Sequence, residues 1–136
     1  MLALSIRQPF AELILRGIKT LEYRSRPTRR VGERFWIYAS KKTVERRQAT
    51  GEIWSRDLTA ASVPAWLAEL AQQVGMISDA ELIALPRGVV VGSAIIESVS
   101  RIDDATFGWK LADVRRAKTL RMPQGHPQPV WFNPFS

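Results

Sequence analysis

Lys19, Glu22 and Arg24 are the residues of this chain whose types and spacing best suit chemistry. On an extended strand Glu22 and Arg24 point to the same side, two positions apart, with Lys19 just upstream. One carboxylate and two cations can therefore converge, and such a trio could orient a phosphate and a base edge together. The competing reading is a surface ion-pair cluster worth about 0 to 1 kcal/mol per pair. Nearby, Arg7 and Gln8 offer hydrogen-bond donors, and Tyr38 or Trp36 could stack on a splayed base. Trp36, Tyr38, Trp109 and Trp131 equally suit a core or a barrel rim.

Other chemistries find less support. The chain has no cysteine, so disulfides, thiolate nucleophiles and the usual structural zinc sites are excluded. Its one histidine, His126, lies in a Gly-His-Pro turn, a poor setting for a Ser-His-Asp triad. Asp103 and Asp104 are adjacent, so on an extended chain they point to opposite sides, and no partner stands at ligand spacing. No glycine-rich loop of the P-loop or dinucleotide type occurs. We therefore expect neither a metal nor a cofactor.

The formal charge is +7 and its distribution is uneven. Residues 1–51 hold twelve lysines and arginines against four acidic residues, residues 52–104 three against eight, and residues 105–136 five against one. If the basic ends meet in the fold, they form a positive face suited to a polyanion, with nucleic acid the expected partner ahead of other anions or a merely solvated surface. Arginines outnumber lysines fifteen to five, and the planar guanidinium matches phosphates and stacked bases. Arg26, Arg29 and Arg30, together with Arg115, Arg116, Lys118 and Arg121, are candidates for sequence-independent phosphate contacts. Each could equally be a solvated charge.

The elements that must position these groups can be read from periodicity. Leu2, Leu4 and Ile6 alternate with Ala3 and Ser5, which predicts a half-buried strand. Pro9 suits the first turn of a short helix whose Phe10, Leu13 and Ile14 share a face, and Gly17 offers its stop. This helix is expected to plug one end of a barrel. From Thr20 to Arg24 the alternation returns, with Leu21 and Tyr23 on one face and Thr20, Glu22 and Arg24 on the other, which must look into solvent or into a site. Ser25 to Arg34 reads as a basic loop and Phe35 to Ala39 as an aromatic-rich strand. Lys41 to about Gln48 reads as a short polar helix, and Ser62 to Leu70 as a longer one capped by Ser62. Val89 to Ile96 is β-branched and almost continuous, as in a strand buried on both sides at the centre of a barrel. Trp109 to Val114 and Pro129 to Phe132 are weaker strands, with a turn-rich Pro123 to Pro127 between them.

The 136 residues suit one domain, 1–136, and the charged fraction of 24% suits a packed globular fold rather than a disordered chain. No run approaches the roughly 18 apolar residues of a membrane span, and MLALSIRQPF lacks a signal-peptide pattern, so a cytoplasmic protein without a membrane partner is expected.

One stretch resembles a known family. Ser5-Ile6-Arg7-Gln8-Pro9-Phe10-Ala11, followed by Gly17-Ile18-Lys19-Thr20-Leu21-Glu22-Tyr23-Arg24, is similar to the opening of ASCH domains, in which a Q-P-W/F-A-like turn leads through a helix to G-x-K-x-x-E-x-R. The likeness continues through the strand Arg34 to Ala39, Lys41-Lys42, Gly92, Gly108-Trp109 and Gln128 to Phe132. It implies an α+β fold, a small PUA-like β-barrel with short helices, one of them capping the barrel. It also implies nucleic-acid binding, RNA above all, in a basic cleft holding Arg7, Gln8, Lys19, Glu22 and Arg24. The family includes ribonucleases and amidohydrolases of a modified cytidine nucleoside, so the alternative is a metal-independent ribonuclease or a nucleoside amidohydrolase with Lys19 and Glu22 as catalytic groups. In a ribonuclease Lys19 would stabilise phosphate charge while Glu22 or Tyr23 handles a proton. Two residues after Lys19-Thr20, where the amidohydrolases carry a threonine, this chain has Glu22, and a carboxylate cannot stand in for a hydroxyl nucleophile. Thr20 or Ser5 would have to supply one. The family's link to a transcriptional coactivator leaves a protein partner possible, with none specified.

Overall fold

The computed structural model describes residues 1–43 and 64–135. Within them six strands and three helices follow in the order β1 (Ala3–Gln8), α1 (Phe10–Leu15), β2 (Leu21–Arg24), β3 (Arg34–Thr43), α2 (Ala65–Val74), α3 (Asp79–Ala84), β4 (Val89–Asp103), β5 (Thr106–Arg121) and β6 (Trp131–Phe132). The strands form one sheet in the order β2-β5-β4-β3-β1-β6. β1 runs parallel to β3, and every other neighbouring pair is antiparallel.

The sheet curls until its two ends touch. Trp109 of β5 stacks on Trp131 of β6, with centroids 6.0 Å apart and planes 7° from parallel. The Arg24 guanidinium of β2 donates to the Ser5 carbonyl of β1 at 3.0 Å. Inside the resulting half-barrel, Leu4, Ile6, Phe35, Ile37, Ala39, Val91, Ala94, Ile96, Trp109 and Leu111 form the principal core. Val89 to Ile96 lies at the centre of the sheet as its composition predicts, and the fold is the α+β, barrel-like one expected of a PUA-like domain.

Helix α1 closes the core by burying Ala11, Leu13 and Ile14. Its approach depends on Gly92 of β4. A Cβ there would lie 2.6 Å from Leu15 Cδ2 and 2.5 Å from the Arg115 carbonyl oxygen, closer than atoms can pack. Gly17, at φ 75°, ends the helical turn in the left-handed region that glycine tolerates.

Four expectations change. Lys41, Lys42 and Thr43 extend β3 rather than opening a polar helix, because β1 continues to pair alongside them through Gln8↔Thr43. The rest of that expected helix, and the Ser62 cap, lie outside the described residues. Helix α2 instead begins after Pro64 and runs past Leu70 to Val74, burying Leu70 and Val74. The two strands on the C-terminal side of α3 are longer than their apolar cores. β4 continues to Asp103 and β5 spans Thr106–Arg121, because their outer halves pair with each other as a ribbon that needs only one covered face. Finally, α3 is an element that apolar periodicity does not announce, although Ser78-Asp79-Ala80-Glu81 is a capping-box sequence and both reciprocal bonds of that box form.

Candidate functional site

The alternation of β2 turns Glu22 inward, where it is 6% exposed, while Leu21 and Tyr23 are only half-buried. The face with the carboxylate is thus the covered one. Lys19, in the turn between α1 and β2, is 3% exposed. Its ammonium donates to Glu22 Oε1 at 3.0 Å and to the Leu21 carbonyl, and it lies 5.1 Å from the Tyr23 ring centroid. Arg24 closes the other side, donating from Nε and Nη2 to Glu22 Oε2 at 3.1 and 2.8 Å. Burial pushes the Glu22 carboxyl up, but Lys19 and Arg24 together outweigh it and hold the group below its ordinary value.

The trio has little slack. Oε2 accepts two hydrogen bonds and Oε1 one, which leaves Oε1 room for a further donor. Arg24 Nη1 donates to no described residue. With Glu22 ionised, the trio keeps a net charge of +1.

These groups lie on one side of a cleft of about 730 Å³, whose wall also includes Ser5, Arg7, Phe10, Tyr38, Ser40, Lys41, Lys42, Leu70 and the segment His126 to Pro129. Its titratable lining comprises Arg7, Lys19, Arg24, Lys41, Lys42, Glu22, Tyr23, Tyr38 and His126. The closing segment is tied to β1, since Ser5 Oγ donates to the Gln128 carbonyl at 3.1 Å. Ser5 therefore has a partner for its hydroxyl proton, and Thr20 does not line the cleft.

Most of the remaining predicted residues sit outside the cleft. Gln8 is 2% exposed and serves the backbone: Nε2 donates to the Pro86 carbonyl at 3.0 Å and Oε1 accepts from Glu12 N–H at 3.0 Å. Arg26 and Arg29 are exposed on the β2–β3 loop beyond the cleft. Arg30 pairs with Glu33 at 3.4 Å and lies over the Trp131 ring. Arg115 pairs with Asp113 at 2.8 Å. Arg116 grips the buried Glu12 carboxylate with both terminal nitrogens, at 2.9 and 3.0 Å. Arg121 covers the Phe135 and Trp36 rings. Tyr38 lines the cleft but offers no stacking face, because its ring is 2% exposed and packs edge-on against Phe132. His126, Lys41 and Lys42 are cleft residues that reading the chain element by element assigns to a turn and a helix.

No group of three His, Cys, Asp or Glu side chains with metal-binding geometry occurs among the described residues, and none of their helices is long and apolar enough to cross a membrane. No curated protein matches the chain. The family model of the ASCH domain matches residues 4–123, which run from the second residue of β1 through the end of β5. With that match spanning most of its length, the chain belongs to the ASCH domain family, a PUA-like family associated with RNA binding.

Proposed function

We propose that the cleft binds a nucleotide of single-stranded nucleic acid, RNA in the first place, with the Lys19–Glu22–Arg24 trio reading its base. The carrying observation is the buried carboxylate clamped between two cations, with one acceptor position on Oε1 and the Arg24 Nη1 donors still open. A base edge presents donors and acceptors in alternation, and the trio offers groups of both kinds. Arg7, Lys41 and Lys42 on the same cleft add attraction for the phosphate backbone. Arg26, Arg29, Arg115 and Arg116 would then act at a distance, through the field of the basic surface.

The geometry favours binding over catalysis. A ribonuclease would need Glu22 or Tyr23 to handle a proton while Lys19 stabilises phosphate charge, and a nucleoside amidohydrolase would use Lys19 and Glu22 as catalytic groups. Glu22 is held ionised and weakly basic by its two partners, and Lys19 already directs two donors to Glu22 Oε1 and the Leu21 carbonyl.

Titrating a labelled single-stranded RNA at increasing salt tests the proposal. Affinity should fall steeply, since each neutralised phosphate of a single strand contributes about 0.7 to the slope of log affinity against log salt. Absence of binding at low salt, or a flat response, removes it. Cleavage of the RNA in the presence of a chelator, abolished by Lys19→Ala, would replace it with the ribonuclease.

A further inference from the structure

We infer that the β1–β3 wall of the cleft is a phosphate clamp, in which Arg7, Lys41 and Lys42 hold a backbone phosphate of the bound strand and the Tyr38 hydroxyl donates to one of its oxygens. This rests on the reading of the cleft as a nucleic-acid site and adds which residues take the phosphate.

The clamp is built by register. β1 and β3 pair in parallel from Ala3↔Trp36 to Ile6↔Ala39, and the next pair is Gln8↔Thr43. Between those pairs a single residue of β1, Arg7, stands against three of β3: Ser40, Lys41 and Lys42. Such a bulge bends its strand and re-aims the extra side chains, a device that recurs beside binding sites. Here Arg7 and all three bulge residues line the cleft.

Their charges are uncompensated among the described residues. Buried or half-buried cations elsewhere meet a carboxylate: Lys19 and Arg24 meet Glu22, and Arg34 meets Asp113. Even the exposed Arg116 meets Glu12. Arg7, Lys41 and Lys42 are exposed, and none makes a side-chain hydrogen bond or ion pair with a described residue. Three like charges on adjacent strands repel one another, and an anion between them relieves that cost. Lys41 is also guided. Its aliphatic stem runs along Gly88, where an added Cβ would lie 3.0 Å from both Cγ and Cε, and the Gly88 N–H donates to the Ala39 carbonyl at 2.6 Å.

Tyr38 supplies an independent sign of a ligand. The residue is 2% exposed, yet it lines the cleft and its hydroxyl bonds to no described residue. Among the described residues no side-chain oxygen or nitrogen is both sealed from solvent and unpaired, so the hydroxyl keeps an opening, and the packed ring leaves the cleft as its outlet. Burial raises its pKa above the ordinary value, so it stays protonated and able to donate at neutral pH.

The test compares a labelled single-stranded RNA of about twelve nucleotides on the wild type and three variants between about 50 and 200 mM salt, the range over which counterion release is resolved. Lys41→Ala with Lys42→Ala should weaken binding at low salt about tenfold or more and lower the salt slope by about 0.7 for each phosphate that is no longer neutralised. Tyr38→Phe, which keeps the ring packing, should weaken binding about three- to tenfold and leave the slope as in the wild type. A double lysine variant with wild-type affinity and slope overturns the clamp, as does a slope that falls only on Arg29→Ala with Arg30→Ala. A wild type that fails to bind overturns the nucleic-acid reading itself, so the two failures are distinct. Far-ultraviolet circular dichroism checks that each variant is folded.

Discussion

Glu12 and Arg116 stand 104 positions apart in the chain and meet in a two-pronged ion pair, with Arg116 Nη1 2.9 Å from Oε1 and Nη2 3.0 Å from Oε2. The carboxylate is buried between α1 and β5, and Arg16 holds it from the other side at 2.7 Å. An arginine that reads as a phosphate ligand in the sequence is thereby a bolt between the plug helix and the sheet.

Arg116→Ala should accordingly cost stability. Removing one partner leaves Glu12 buried with Arg16 alone, and a hydrogen-bonded charge pair of this kind contributes about 1.5 to 3 kcal/mol. Discounting for the exposure of Arg116, we expect about 1 kcal/mol from urea-unfolding midpoints. A variant as stable as the wild type would return Arg116 to the pool of free cations.

Lys19→Met should be more severe. It strips one of two cations from a carboxylate that is almost fully buried, and breaking a buried pair costs about 3 to 5 kcal/mol. Arg24 remains, which places the expectation near the lower end, about 3 kcal/mol. An unfolding midpoint within error of the wild type would show that the trio carries no such weight.

Acid should destabilise the fold through the same carboxylates. Lys19 and Arg24 hold Glu22 below its ordinary value against the upward push of burial, and hydrogen bonds from Arg116 hold Glu12 low as well. Groups whose folded-state value is depressed contribute stability that is fully present above the unfolded value, near 4.5, and is lost as the pH falls through the folded one. Stability contributed by these groups should therefore be level from pH 7 to about pH 5 and decline below about 4.5. Urea midpoints measured across that range test this, and Glu22→Gln should make the acid decline shallower.

Glu22→Gln also separates recognition from anchoring. An ionised carboxylate only accepts hydrogen bonds, so it repels phosphate and suits a base amino group, whereas the amide can also donate. The variant should reorder preference among homopolymeric RNAs more than it lowers affinity overall. Arg29→Ala with Arg30→Ala should weaken all of them about equally. If Glu22→Gln keeps the order and the arginine variant changes it, the division of roles is wrong.

Gly92→Ala should destabilise strongly, because the new methyl group meets the Arg115 carbonyl at 2.5 Å as well as Leu15, and the backbone oxygen cannot swing aside. Overpacking of this kind costs about 1 to 3 kcal/mol, and thermal melting should show it. A melting temperature equal to the wild type's would mean that α1 does not depend on this close approach.

Much of this protein is determined by the sequence itself, wherever the cause is local. The period-two alternation of Thr20 to Arg24 places Glu22 and Arg24 on one side of a strand, the β-branched run from Val89 puts β4 at the centre, and Gly17 ends α1, all through backbone geometry that neighbouring residues dictate. Only the tertiary structure decided which charges are neutralised and which stay free. Whether an arginine is solvated or paired depends on carboxylates brought near by folding: Arg116 meets Glu12 and Arg34 meets Asp113 across the sheet, while Arg7, Lys41 and Lys42 stay exposed on the cleft wall. The bulge that gathers those three follows from the register of two parallel strands separated by a helix, a third strand and a loop. Such register is a property of pairing between distant segments, and neither strand's own pattern contains it.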